Sequence, residues 1–116
     1  MDHEKLVAAA WRAREAAYSP YSNFPVGAAL LAGDGRIFLG CNVENISFGL
    51  TNCAERVAIG AAIAAGVRKF VAAAVVADTG VPISPCGACR QVLAEFGVPV
   101  VVLANRANRL VFTMEE

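Results

Sequence analysis

The stretch "VGAALLAGDGRIFLGCNV", residues 26 to 43, decides the fold. Two apolar runs, 26–32 and 36–43, flank Gly33-Asp34-Gly35, and a short glycine turn between such runs predicts a β-hairpin. Upstream, residues 2–17 are rich in alanine and glutamate and read as a helix, which the two prolines of "SPYSNFP" then break. Downstream, "NCAERVAIGAAIAAG" (52–66) strings strong helix formers up to Gly66 as a C-terminal cap. "KFVAAAVVA" (69–77) follows as a buried strand by its β-branched content, and "CGACRQVLAEFG" (86–97) as a second capped helix. "VPVVVLA" (98–104) and "RLVFTM" (109–114) are two further strands. An opening hairpin followed by alternating helix and strand implies a five-stranded mixed sheet with helices on its faces, a three-layer α/β/α sandwich.

Composition limits what such a fold can do. At 116 residues the chain has the size of one domain, expected to span 1–116. Hydrophobic residues make up 57% and charged residues 17%, more apolar surface than a small monomer hides, so an oligomer is expected. Ten basic and ten acidic side chains cancel, which removes the field that a nucleic-acid or membrane-surface binder uses and favours small, uncharged partners. The amino end lacks the basic-then-apolar layout of a signal peptide, so a cytoplasmic location is expected. The apolar run "VAIGAAIAAGV" (57–67), closed by Arg68 and Lys69, is too short to cross a bilayer.

The chemistry lies in the cysteines, which stand at 41, 53, 86 and 89. In a reducing compartment such thiols speak for metal or catalysis more than for disulfides. Cys86 and Cys89 sit three residues apart where Pro85 can open a helix, and the positive end of a helix stabilises anionic sulfur. That pair alone fits half a zinc site or a thioredoxin-like redox couple equally well. "NCAER" (52–56) adds a third thiol at the start of the other helix, and three protein thiolates leave a tetrahedral zinc one position for water. A structural site would recruit Cys41 as a fourth ligand, but Cys41 falls inside a predicted strand and reads as a small buried apolar residue. Glu55, two residues from Cys53, can approach a metal-bound water without binding the metal, as a general acid/base must. Its plainer role, a carboxylate favouring the positive helix end, is compatible with that one. Arg56, and with it Arg90, can donate hydrogen bonds to thiolate sulfur and restore Lewis acidity to an anionic zinc–thiolate centre. The alternative for each is a solvated arginine.

"CAE" at 53–55 and "PCGAC" at 85–89 resemble the two halves of the zinc nucleoside-deaminase signature. "YSPYSNFPVGAAL", "GCNVEN" and "LTNCAERVAI" are similar to the small homotetrameric, zinc-dependent cytidine deaminases, over about residues 18 to 104. Relatives that use the same zinc motifs on a nucleoside antibiotic, or on bases within RNA and DNA, lack the full "FPVGAAL" plus "NVEN" combination. The resemblance implies one zinc per subunit held by Cys53, Cys86 and Cys89. It implies hydrolysis of cytidine and 2′-deoxycytidine to uridine and 2′-deoxyuridine with release of ammonia, as in pyrimidine salvage. Zinc-bound hydroxide would attack C4, and Glu55 would move protons to N3 and then to the departing amine. Phe24 would face the pyrimidine, Asn42 and Glu44 would hold the sugar hydroxyls with Val43 between them also at the substrate, and backbone groups at Cys53 and Ala54 would read the amine and the ring. Strand alternation independently puts Asn42 and Glu44 on one face. Phe48 takes the place of an aromatic, usually tyrosine, that reaches a neighbouring subunit's site, and the small-residue face of "AIGAAIAAG" suits a tetramer contact. The family usually continues past its last strand into a leucine-leucine-proline segment and an aromatic residue. This sequence ends at Glu116, which implies a more open site if the chain is whole. Rival readings are a deaminase of a related nucleoside, a structural zinc module, and a Cys86/Cys89 thiol oxidoreductase. His3 and Trp11 are expected to carry no catalytic role.

Overall fold

The computed structural model describes residues 3–47, 50–79 and 87–113, the side chains of 87–90 and 112 excepted. In chain order the elements are α1 (His3–Arg14), β1 (Gly27–Ala32), β2 (Ile37–Cys41), α2 (Ala54–Ala64), β3 (Phe70–Val76), α3 (Gly87–Glu95), β4 (Val100–Ala104) and β5 (Arg109–Thr113). The predicted hairpin is present, its turn closed by the Ala32 amide donating to the Arg36 carbonyl at 2.8 Å. The strands form one five-stranded sheet in the order β2-β1-β3-β4-β5. Only β3 and β4 are neighbours in parallel; β1 is antiparallel to both β2 and β3, and β5 to β4. Helices α2 and α3 are thus crossovers between strands that run the same way, as a parallel relation requires.

Side-chain alternation along the strands separates two cores. Ala28, Leu30, Ala73, Val75, Val101 and Leu103 pack with Ala58, Ile59 and Ala62 of α2 and Leu93 of α3. The alternate residues Ala29, Ala72, Ala74, Val76 and Val102 pack with Leu6, Val7, Ala9 and Ala10 of α1. This is the three-layer sandwich with a five-stranded mixed sheet that the sequence predicts. Helices α1 and α2 each lie against a strand so closely that a side chain has no room. A Cβ on Gly27 would fall 2.7 Å from the Arg14 amide, and one on Gly40 would fall 2.5 Å from the Ala58 amide and against the Ala54 carbonyl.

Registry then fixes one working edge of the sheet. Gly27 lies opposite both Cys41 and Val76, and Val76 lies opposite Ala104, so these four positions form one row. The carboxyl ends of β2, β3 and β4 therefore leave the sheet together, where ligands bind in open α/β sheets. Among the boundaries that shift, two bear on the site. Helix α1 ends at Arg14 because the next three amides bond three residues back, tightening the chain ahead of Pro20. Strand β2 ends at Cys41, and residues 42–44 leave the sheet to pair elsewhere. Among the described residues no helix is long and apolar enough to cross a membrane.

Candidate active site

Three segments meet at the working edge through backbone hydrogen bonds. Val43 exchanges both of its amide-carbonyl bonds with Asn52, each 2.9 Å long. On its other side, the Tyr18 amide donates to the Asn42 carbonyl at 3.0 Å and the Glu44 amide to the Tyr18 carbonyl at 2.9 Å. Residues 42–44 thus lie between the loop that follows α1 and the chain entering α2. This arrangement brings the predicted sugar residues beside Asn52, which immediately precedes Cys53.

Cys53 is the N-cap of α2, with extended backbone (φ −75°, ψ 154°), and its thiol makes no capping hydrogen bond to the helix amides. Arg56, in the first turn of α2, reaches back along it: Nη2 donates to the Thr51 carbonyl at 3.2 Å and to Cys53 Sγ at 3.4 Å. A guanidinium that donates to a cysteine sulfur is the kind of outer support that metal-ligating cysteines use. Between them in sequence, Glu55 is only 6% exposed. A carboxylate that deep at the positive end of a helix, two residues from a thiol, is unusual for a group whose only task is to balance a dipole. Ala54 is buried against Gly40, so the strand–helix contact holds this turn in place.

The loop 21–26 is strapped to 42–44 by side chains on either side of Val43. Asn42, 9% exposed, accepts from the Val26 amide through Oδ1 and donates to the Phe24 carbonyl through Nδ2, both at 3.0 Å. Each atom keeps one further hydrogen-bonding position for a ligand. Glu44 Oε1 accepts from the amides of Tyr21 and Ser22 at 3.0 and 3.1 Å, and Oε2 accepts from the Ser22 hydroxyl. The Ser22 hydroxyl, and after it the amides of Ser22 and Tyr21, hold the Glu44 carboxyl below its usual range. Tyr21, Ser22, Glu44, Asn45 and Thr51 line a cavity of about 290 Å³. Phe24 is 38% exposed at the end of this loop, its ring available to a ligand. Sequence reasoning missed Ser22 and the carbonyl of Thr51. The signal for Ser22 is the short turn "SNF", in which the Phe24 amide donates to Ser22 Oγ at 3.0 Å and Asn23 takes a left-handed φ of 56°.

Cys86 and Phe48 lie outside the described residues, as do the side chains of Cys89 and Arg90. Cys89 is the third residue of α3, which packs beside α2 on the same face of the sheet. Cys41, in β2 opposite Gly27, is half-buried, and burial pushes its thiol up, which suits a neutral packing group better than a ligand. The donor chemistry fits zinc: a thiol at the N-terminus of α2 supported by an arginine, with two more cysteines where the sequence opens the neighbouring helix. Among the described residues alone no three ligating side chains cluster.

Fold and donor set together describe an α/β/α domain with a buried carboxylate two residues from a candidate zinc-ligating thiol at a helix start. Residues 1–105 match the profile of the cytidine and deoxycytidylate deaminase zinc-binding region. A cytidine deaminase of Sporosarcina psychrophila is 66% identical over 107 residues, which is 90% of this chain and 79% of that one. Another, of Halalkalibacterium halodurans, is 60% identical over 95 residues, 82% of this chain and 72% of that one. Among solved structures, the cytidine deaminase of Burkholderia pseudomallei superposes with a TM-score of 0.95 at 56% identity, covering 98% of this chain and 94% of its own. The chain belongs to the cytidine and deoxycytidylate deaminase family of zinc enzymes.

Proposed function

We propose that this chain hydrolyses the exocyclic amine of cytidine and 2′-deoxycytidine, giving the uridine nucleoside and ammonia, as a step of pyrimidine salvage. The observation that carries the reading is Glu55, buried in the first turn of α2 two residues from the Cys53 thiol. Cys53, Cys86 and Cys89 would hold one zinc per chain, and the ion would supply a Lewis acid that acidifies water. Glu55 takes a proton from the attacking water and delivers it to N3 of the pyrimidine. It then transfers the water's second proton to the amine nitrogen, which leaves as ammonia when the C4–N bond breaks. Arg56 donates a hydrogen bond to the Cys53 sulfur and would offset part of the negative charge that three thiolate ligands place on a metal. Phe24 stacks on the pyrimidine, and the backbone of Cys53 and Ala54 reads the ring edge. Asn42 and Glu44 use the hydrogen-bonding positions left open by the loop to take the sugar hydroxyls, with Val43 as the spacer that points both to the same side.

The same reading makes residues 1–116 one catalytic domain that works in the cytoplasm as a homotetramer. Exposed apolar side chains around the site support the assembly: Tyr18, Tyr21, Val43, Ile46 and Leu50 are all at least 40% exposed. The outward face of α2 exposes Gly60, Ala61 and Ala64 and is free of bulk. The test is ammonia release together with the loss of cytidine absorbance by zinc-loaded protein, run beside adenosine and a cytosine nucleoside antibiotic. Turnover of cytidine and deoxycytidine above the others supports the proposal, and no turnover by protein with zinc bound would overturn it.

A further inference from the structure

Ser22 takes no part in the reaction outlined above, yet its hydroxyl sits between two groups whose roles in hydrogen bonding are fixed. The Phe24 amide, 3.0 Å away, can only donate, and the ionised Glu44 carboxylate can only accept. The hydroxyl proton therefore points at Glu44, and the bonds run from Phe24 N–H to Ser22 Oγ–H to Glu44 Oε2. On the other oxygen, the amides of Tyr21 and Ser22 arrive together at 3.0 and 3.1 Å. A carboxylate oxygen has two lone-pair positions, so Oε1 is filled and Oε2 keeps one. Glu44 is thus held by three donors from one loop, with a single acceptor position left, on the wall of the cavity of about 290 Å³. The first member of this relay is the backbone of Phe24, so the group at the sugar and the ring at the pyrimidine share one chain of hydrogen bonds.

We infer that Ser22 is a positioning residue that sets sugar specificity: it fixes Glu44 so that the carboxylate offers one acceptor to one sugar hydroxyl. The inference rests on the proposed role of Glu44 at the sugar. Without the Ser22 hydroxyl, Oε2 regains a second position and the carboxylate can turn about its side chain, so a hydroxyl-bearing nucleoside loses part of its advantage over one that lacks hydroxyls. Ser22 is exposed in the free chain, where water competes for its bond. A bound sugar covering the cavity excludes that water and strengthens the relay.

The experiment measures kcat/KM for cytidine and for 2′,3′-dideoxycytidine in the zinc-loaded wild type and in Ser22→Ala, Ser22→Thr and Glu44→Ala, with zinc content and thermal midpoint recorded for each. Ser22→Ala is expected to lower the ratio of the two values about tenfold, mainly through KM for cytidine, the size of a lost hydrogen bond to a charged group. Ser22→Thr keeps the hydroxyl and is expected to stay within about twofold of wild type on the same grounds. General damage to the fold lowers both substrates alike and leaves the ratio unmoved. A ratio unchanged in Ser22→Ala but collapsed in Glu44→Ala overturns the inference while leaving Glu44 at the sugar. An equal collapse in Ser22→Thr and Ser22→Ala overturns it too, and a ratio unchanged in Glu44→Ala removes Glu44 from the sugar altogether.

Discussion

Replacing Gly40 by alanine tests whether the close approach of β2 and α2 holds the catalytic turn in place. The added Cβ would stand 2.5 Å from the Ala58 amide nitrogen and 3.0 Å from Ala58 Cα, and against the Ala54 carbonyl oxygen. All three are backbone atoms, so no side chain can swing aside. Restoring an ordinary contact requires the first turns of α2 to retreat by about 1 Å, given the close packing of interiors. Overpacking of this kind costs about 2–3 kcal/mol. In a domain of this size that lowers the thermal midpoint by about 10 °C. The displaced turn carries Cys53, Ala54 and Glu55, and a misplacement of about 1 Å in reacting groups lowers turnover by about a hundredfold. Scanning calorimetry, zinc analysis and cytidine turnover read all three effects. The control is Gly33→Ala, whose Cβ would meet Lys69 at ordinary contact distances of 3.6 and 3.7 Å, and it is expected to match wild type. A Gly40→Ala protein that melts within about 2 °C of wild type and turns over at a similar rate would refute the reasoning, since such a shift is far below the overpacking range.

Two further outcomes follow from particular side chains. Cys41→Ser is expected to keep a full complement of zinc, whereas Cys53→Ser is expected to lose it; elemental analysis showing metal loss in both would turn the site into a four-cysteine structural one. The Glu44 carboxyl is held below its ordinary value of 4.5, so the unfolded chain binds more protons and Glu44 stabilises the fold above that value. This contribution disappears as pH falls through the folded pKa. The difference in thermal midpoint between wild type and Glu44→Gln is therefore expected to be full at pH 6 and to shrink towards pH 3, and a difference that grew on acidification would contradict the assignment.

Much of this arrangement is legible in the sequence because it is local or periodic. The hairpin, both crossover helices and the buried strands follow from continuous apolar runs such as "FVAAAVV", from strong helix formers and from glycine punctuation at Gly33, Gly66 and Gly97, whereas the separation of the two cores emerges from the structure. Cys53, Glu55 and Arg56 read as a unit because they share one helix start, and the structure adds that Glu55 is buried and that Arg56 turns back to the sulfur. The pairings of Val43 with Tyr18 and Asn52 join segments far apart in sequence through backbone groups, which are alike in every residue. For that reason β2 reads two residues too long, and the strapping of Glu44 to Ser22 carries no pattern that periodicity can find.

The central claim is that Glu55 moves protons beside a zinc that it does not bind. The direct measurement is the zinc content and single-turnover rate of Glu55→Ala beside wild type, with cytidine as substrate. The account predicts about one zinc per chain in both proteins, an unchanged thermal midpoint within a few degrees, and a rate lowered at least about a thousandfold, within the range for loss of a general acid/base. A variant that kept both its zinc and its rate would contradict it, and so would one that lost its zinc along with its activity.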